Sequence, residues 1–367
     1  MKEKNSVPLV TFVVPCYNYA HWLGQCVSSI LAQNYENFEV LIMDNCSTDD
    51  TPEVAQSFQD ARVRHVRNDS NLGAEGNFNK GLTLARGKYA WILPADDLLR
   101  SPSVLRRFVD VMEQNVDLGF VFCRAIELDG EKERGVVWWA DLGDQDCTWN
   151  NSTFVPRLIE SNCIAFSSVL LRKECLNHVG MFPVDLPYAA DWYLWIMLAM
   201  HYSVRYLAEP MVFSRVGQDS LTSQQSREYA RICLGDELSL LWRVRHEAKL
   251  AQDPNLRDAC RSALIQRAKR CLMAGVGGTE FAEILQTRVP DSEATKDLRA
   301  FTYRDLAEEH YSKGEYVAAS ESYRLALKAR PFHLGTLAKY LSLRTGQFGV
   351  RVRKFAHQLR ELKNASR

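Results

Sequence analysis

Two adjacent carboxylates, Asp96 and Asp97, follow a short apolar run from Tyr89 to Leu93. Like charges this close raise one another's pKa unless a cation compensates. A hard divalent ion with oxygen ligands, Mg²⁺ or Mn²⁺, does so and typically bridges one or two carboxylates to substrate phosphates. Polar groups also follow two earlier apolar runs. Pro15-Cys16-Tyr17-Asn18 comes after Val10–Val14, and Asp44-Asn45 with Ser47–Asp50 comes after Phe38–Met43. Singly, each is an ordinary turn or cap; gathered on one sheet edge, they favour a site. The chain has neither G-x-x-x-x-G-K-S/T nor G-x-G-x-x-G, so a diphosphate would depend on metal and side chains. Much later, Asp191 opens an apolar stretch containing Leu194, Trp195, Leu198 and Ala199, where its residue type alone reads as an N-cap.

Elements able to position these residues alternate regularly. Val10–Val14, Phe38–Met43, Val63–Val66 and Tyr89–Leu93 read as buried strands. Between them, Leu23, Cys26, Val27, Ile30 and Leu31 share one helical face. Thr51-Pro52-Glu53 starts a helix with proline in its first turn, a helix from about Glu75 to Ala85 stops at Gly87, and Ser101-Pro102 begins another. This rhythm predicts an α/β fold, an open and mainly parallel sheet with helices on both faces. Ligands of such sheets sit beyond the carboxyl ends of the strands.

After about Ser223 the pattern is helical throughout, over Asp236–Ala251, Leu256–Ala274 and Phe281–Gln286. The expected division is a catalytic domain over 1–222 and an all-α region over 223–367. Within it, Ala307, Gly314, Tyr316, Ala319, Tyr323, Ala326 and Pro331 occupy the small, aromatic and terminating positions of a single tetratricopeptide-like helix pair at about 300–333. An ordinary helical hairpin explains the same residues, since one repeat cannot bury its faces without neighbours.

The 367 residues are 46% hydrophobic and 25% charged with zero formal net charge, so no overall field favours nucleic acid. Ten cysteines show no C-x-x-C pairing, which predicts reduced thiols and no zinc. Neither a signal peptide nor a membrane-spanning run is legible, and the expected location is cytoplasmic. The tail from Arg344 to Arg367 is basic, with Val350, Val352, Phe355, Leu359 and Leu362 among its cations. It could lie peripherally on an anionic membrane or be a solvated or core-packed terminal helix. Trp138, Trp139 and Trp149 stand near Asp141, Asp144 and Asp146; burial in the core is favoured over an acceptor platform.

Val14-Pro15-Cys16-Tyr17-Asn18, Asp44-Asn45-Cys46-Ser47-Thr48-Asp49, Asn71-Leu72-Gly73, Asn77, and Leu93-Pro94-Ala95-Asp96-Asp97-Leu98-Leu99 together resemble the family 2 glycosyltransferases, which have the GT-A fold. The match in order and spacing runs from about Val7 to Thr222. The resemblance implies an inverting, metal-dependent transfer of a sugar from a nucleotide-sugar, most simply a UDP-sugar, to a saccharide or lipid-linked saccharide acceptor in cell-surface glycan assembly. It implies nucleoside contacts from Pro15, Tyr17 and Asn18, a base contact from Asp44, and further donor contacts from Asn77 and Asp96. Asp96 and Asp97 would hold Mg²⁺ or Mn²⁺. Ala189-Ala190-Asp191-Trp192 resembles the family's acidic motif, and Asp191 would then be the catalytic base. Pro94 stands where the family often has an acid, Ala190 where it often has Glu, and no His follows Ser214-Arg215; the resemblance leaves Gln218, Asp219 or water to take its place. Arg215 is a candidate for the diphosphate by bidentate pairing, or a solvated surface residue. Two rival functions remain: a nucleotidyltransferase, and a degenerate GT-A scaffold acting on a protein partner through the C-terminal helices.

Overall fold

The structure, a computed structural model, describes residues 9–216, 227–247, 252–273, 278–289 and 292–345. It divides into two compact units, 1–225 and 226–367.

In the first unit, β1 (Val10–Cys16), β2 (Phe38–Asp44), β3 (Val63–Arg67) and β4 (Tyr89–Ile92) are joined through α1 (Ala20–Leu31), α2 (Thr51–Ser57) and α3 (Gly73–Leu84). β1 and β2 are buried along their whole length, as strands covered on both faces must be. Their branched and aromatic side chains fill a core under Leu23, Cys26, Val27 and Ile30 of α1. The second part contains β5 (Leu98–Leu99), α4 (Val104–Gln114), β6 (Leu118–Asp129), β7 (Lys132–Val136), β8 (Cys147–Trp149), α5 (Asn151–Glu160), β9 (Val169–Arg172), α6 (Leu176–Val179), α7 (Ala190–His201) and β10 (Ser203–Arg215).

All ten strands join one sheet in the order β3-β2-β1-β4-β9-β6-β10-β5, with β7 on β6 and β8 on β10. The expectation of a mainly parallel sheet holds for one half only. β3, β2, β1 and β4 are parallel, but β9 runs antiparallel between β4 and β6, and β5, β7 and β8 are antiparallel edge pieces. The sheet is mixed: β9, reached from β8 through α5 and a 3₁₀ turn, runs against both of its neighbours. β4 and β6 both oppose β9, and β10 parallels β6; β1–β4, β6 and β10 therefore all end at the same sheet edge.

Close packing at the opposite edge depends on Gly87. A Cβ there would lie 2.6 Å from both the Thr11 nitrogen and the Tyr89 carbonyl oxygen. Trp149 stacks on Phe154 at 4.8 Å. Trp138 and Trp139 depart from the expected core placement, being 80% and 42% exposed. They occupy a single 3₁₀ turn, Trp138–Ala140, whose Val137 and Ala140 take the buried positions.

The second unit is helical: α8 (Arg227–His246), α9 (Pro254–Met273), α10 (Gly278–Arg288), α11 (Ser292–Ser312), α12 (Tyr316–Ala329) and α13 (Leu334–Thr345). α11 and α12 form a hairpin across Gly314, whose φ of +78° favours glycine. Ala307, Ala319, Tyr323 and Ala326 are buried in it. No described helix is long and apolar enough to cross a membrane. Gln218, Asp219 and the tail beyond Thr345 lie outside the described residues.

Candidate active site

Asp97 follows β4 by a tight turn, its backbone N–H bonded to the Pro94 carbonyl at 2.9 Å. The side chain is buried, and Oδ1 accepts the Arg215 backbone N–H at 2.7 Å. Arg215 ends β10, so the sheet edge brings together residues 118 positions apart. Burial, reinforced by the neighbouring Asp96 charge, pushes the Asp97 carboxyl well above the usual range. Asp96 is also raised by burial, against the opposing pull of Arg215 and His21.

Arg215 is neither solvated nor free to grip a diphosphate, which corrects both sequence expectations. Its Nε donates to the Asp96 carbonyl at 2.9 Å and one terminal nitrogen donates to Gln25 Oε1 at 3.0 Å. The other donates to the Gly130 carbonyl. The guanidinium lies 3.6 Å from the Trp22 ring centroid. With its donors turned on the surrounding backbone, Arg215 fixes the turn that carries Asp96 and Asp97. Trp22 and Gln25 belong to α1 and were missed in the sequence, since nothing local signals a partner nearly two hundred residues away.

The ends of β1 and β2 form a second cluster. Asn18, at φ +57°, accepts the Thr48 N–H at 2.8 Å through Oδ1, and its own N–H reaches Ser47 Oγ at 3.0 Å. Tyr17 is 44% exposed beside it, whereas Pro15 is buried within β1. Asp44 is fully buried and its two oxygens are already engaged. Oδ1 accepts the Ser47 N–H at 2.8 Å, and Oδ2 meets Arg67 at 3.1 Å and His65 at 3.6 Å. Asp44 thus presents no open oxygen to a base; half-exposed Arg67, one strand over, covers it. Asn77 requires a similar correction. It is 2% exposed, donating to the Met43 carbonyl and accepting from Asn68, both at 2.9 Å. Its amide is used up in a carboxamide network with Asn45, Asn68 and Asn71 that braces the loop, so it supports the site without lining it.

Asp191 lies in the first turn of α7, after the N-cap residue Ala189. It is therefore not the cap. Oδ1 accepts the Trp192 N–H at 2.6 Å and Oδ2 accepts Asn162 Nδ2 at 3.2 Å. Burial pushes its carboxyl up to about 6, against the opposing pull of those two donors. That value suits a general base near neutral pH. The segment from Asn162 leads to Ser167, whose carbonyl accepts the Trp91 indole N–H at 2.7 Å, so one stretch of chain runs from the base candidate to β4, the strand that precedes the acidic pair.

The acidic pair fits a divalent cation. Asp96 and Asp97 are adjacent hard oxygen donors whose pKa values burial raises, so a bound cation would favour their ionised forms. No cluster of three or more His, Cys, Asp or Glu side chains occurs among the described residues. An ion here would therefore complete its shell with water and substrate oxygens.

Residues 11–171 match the family model described as Glycosyl transferase family 2. Residues 11–171 thus carry a glycosyl transferase family 2 domain. Glycosyltransferase GlyG of Streptococcus pneumoniae is 35% identical over 112 residues, 30% of this chain and 37% of that protein. The Escherichia coli UDP-Glc:alpha-D-GlcNAc-diphosphoundecaprenol beta-1,3-glucosyltransferase WfgD is 25% identical over 227 residues, 61% of this chain and 83% of its own. The chain thus spans little more than a third of the length of GlyG. The fold is similar to that of S. aureus TarS 1-349 in complex with UDP-GlcNAc. The TM-score is 0.58 at 16% identity, covering 92% of each chain. The GT-A architecture of the family is thereby established, with a helical region following it.

Proposed function

We propose that the N-terminal unit transfers a sugar from a UDP-sugar to a hydroxyl of a saccharide or lipid-linked saccharide acceptor, inverting the anomeric centre, in the assembly of a cell-surface polysaccharide. The observation that carries this reading is Asp191. It is a carboxyl raised to about 6 at the start of a buried helix, connected by the Asn162–Ser167 segment to β4, the strand that precedes the acidic pair. WfgD is named for a UDP-glucose donor and a lipid-linked acceptor, and TarS was solved with UDP-GlcNAc; both favour a uridine donor.

In this mechanism the ionised Asp191 takes the acceptor hydroxyl proton as that oxygen bonds to the anomeric carbon. The bond from that carbon to the diphosphate oxygen breaks, and its electron pair leaves with UDP. One displacement inverts the centre. Asp96 and Asp97 would hold Mg²⁺ or Mn²⁺, which supplies electrostatic stabilisation of charge on the departing diphosphate. Arg215 keeps the two carboxylates in place, and Asn162 keeps Asp191 oriented. Tyr17 and Arg67 form the accessible rim over the buried Asp44, where the nucleoside is placed.

The test is calorimetry of UDP and GDP binding with and without Mn²⁺, on the wild-type chain and on Asp97→Ala. We expect UDP to bind in a Mn²⁺-dependent manner and the variant to lose that dependence. Equal UDP affinity with and without Mn²⁺, or preference for GDP, would overturn the metal or uridine assignment respectively.

A further inference from the structure

The helical unit contains a cleft of about 560 Å³ between α8, α9 and α11, within the size range of small-molecule sites. Its charge is one-sided. Arg245, Arg257 and Arg261 line it, and none has a carboxylate within ion-pairing distance among the described residues. The unit otherwise pairs many of its cations. Arg267 meets Glu237 at 2.5 Å, Arg288 meets Asp236 at 3.1 Å, and Lys269 meets both Asp305 and Glu309. Among the described residues that line the cleft the one acid is Asp297, already held by Arg330 at 2.7 Å. Uncompensated guanidinium groups converging on a concavity are an anion site in their chemistry, because the planar fork matches a carboxylate or phosphate with two parallel bonds.

Aromatic rings share the same walls. The Arg261 guanidinium lies 4.1 Å from the Phe301 ring centroid, a stacking that orients the fork while leaving its edge free. Trp242 is recessed, 8% exposed, with the His246 ring 3.9 Å away. A flat lipid surface does not reach rings recessed in a cleft. A chain of zero formal net charge lacks the broad positive field of a nucleic-acid binder. What fits is a small ligand with one or two anionic groups on a body that packs against a ring.

We propose that this cleft is a second saccharide site, for a sugar bearing a phosphate or a carboxylate. The anion is held by Arg245, Arg257 and Arg261, and the sugar body fills the rest of the cleft beside Phe301, whose ring already carries the Arg261 and Arg304 guanidinium groups at 4.1 and 4.8 Å. The site involves no catalytic step and stands independently of the donor site proposed above.

The test is calorimetry on the full chain without nucleotide or Mn²⁺, so that no other small anion competes for the cleft. The probes are glucose 1-phosphate, a glucuronate-containing tetrasaccharide, neutral cellotetraose, inorganic phosphate, and phosphatidylglycerol vesicles. The charged saccharides should bind in a salt-sensitive manner. Arg257→Gln/Arg261→Gln should weaken them about tenfold or more with an unchanged melting temperature. Arg257 and Arg261 are both exposed, so the double variant is expected to fold. Equal binding of cellotetraose, phosphate alone binding as tightly as glucose 1-phosphate, vesicles binding in place of the sugars, or a double variant that binds like the wild type would each overturn the proposal. The double variant keeps the outcome separate from the donor reading: loss of binding there cannot arise from Asp97 or Asp44.

Discussion

Asn162→Ala is the sharpest probe of the proposed base. Asn162 Nδ2 donates to Asp191 Oδ2 at 3.2 Å and favours the ionised form. A hydrogen bond to a charged group contributes about 1.5–3 kcal/mol. This one is longer than the 2.7–2.9 Å of a strong charge-assisted bond, which places it at the low end. Since 1.36 kcal/mol corresponds to one pKa unit, removing it should raise Asp191 from about 6 to about 7. The base works when deprotonated, so the acid limb of the kcat/KM profile moves upward. At about pH 6 the ionised fraction falls from about one half to about one tenth, a roughly fivefold loss; at about pH 7 the loss is about twofold, and at high pH the rate is nearly restored. The assay is the initial rate of UDP release across that range, with UDP-glucose or UDP-N-acetylglucosamine and a lipid-linked acceptor. A loss that is uniform across pH would show that Asn162 acts only on geometry. An acid limb that stays in place would refute the coupling, and a wild-type profile with no limb near 6 would remove Asp191 from its role.

Asp191→Asn should abolish transfer while leaving UDP binding intact. It should also stabilise the fold at neutral pH. A carboxyl raised in the folded state costs nothing below its unfolded value, and its ionisation weakens the fold increasingly from about pH 4 to about pH 6. The gain above that window is about 1–3 kcal/mol, discounted for partial exposure. Thermal melts at about pH 5 and about pH 8 would check it, and a variant less stable than wild type at the higher pH would contradict the burial argument. Gly87→Ala should lower the melting temperature by about 3–10 °C, because the added Cβ meets backbone atoms 2.6 Å away that cannot move aside. A melt unchanged within error would mean that the strand ends are looser than described.

The four parallel strands β1–β4 and the helices between them were legible because their residues leave few alternatives. Runs such as Val10–Val14 and Phe38–Met43 are apolar throughout and short, as strands buried on both faces are. Leu23, Cys26, Val27 and Ile30 recur at the helical period and are all buried. The direction of β9 was not legible, since three apolar residues followed by an arginine read the same in either orientation. The exposure of Trp138 and Trp139 was equally hidden. Size argues for burial, but a 3₁₀ turn with Val137 and Ala140 facing inward leaves the two indoles outside.

For the candidate site, the ordered polar residues after β1, β2 and β4 were sufficient to place Tyr17, Asn18, Asp44, Asp96 and Asp97 on one sheet edge, because residue type and strand order are properties of the linear chain. Which of them face solvent was not, because burial depends on neighbours that arrive from elsewhere. Asp44 is closed by Arg67 and His65 from the next strand. Asn77 is taken by Met43 and Asn68. Arg215 crosses the sheet edge to brace the acidic turn instead of reaching a phosphate. The Asp191 carboxyl owes its raised pKa to burial at the start of α7, and its orientation to an asparagine on a different segment. The linear order thus determined which chemical groups lie along the edge. Desolvation and long-range hydrogen bonds, which exist only once the chain has closed on itself, decided which are available to react.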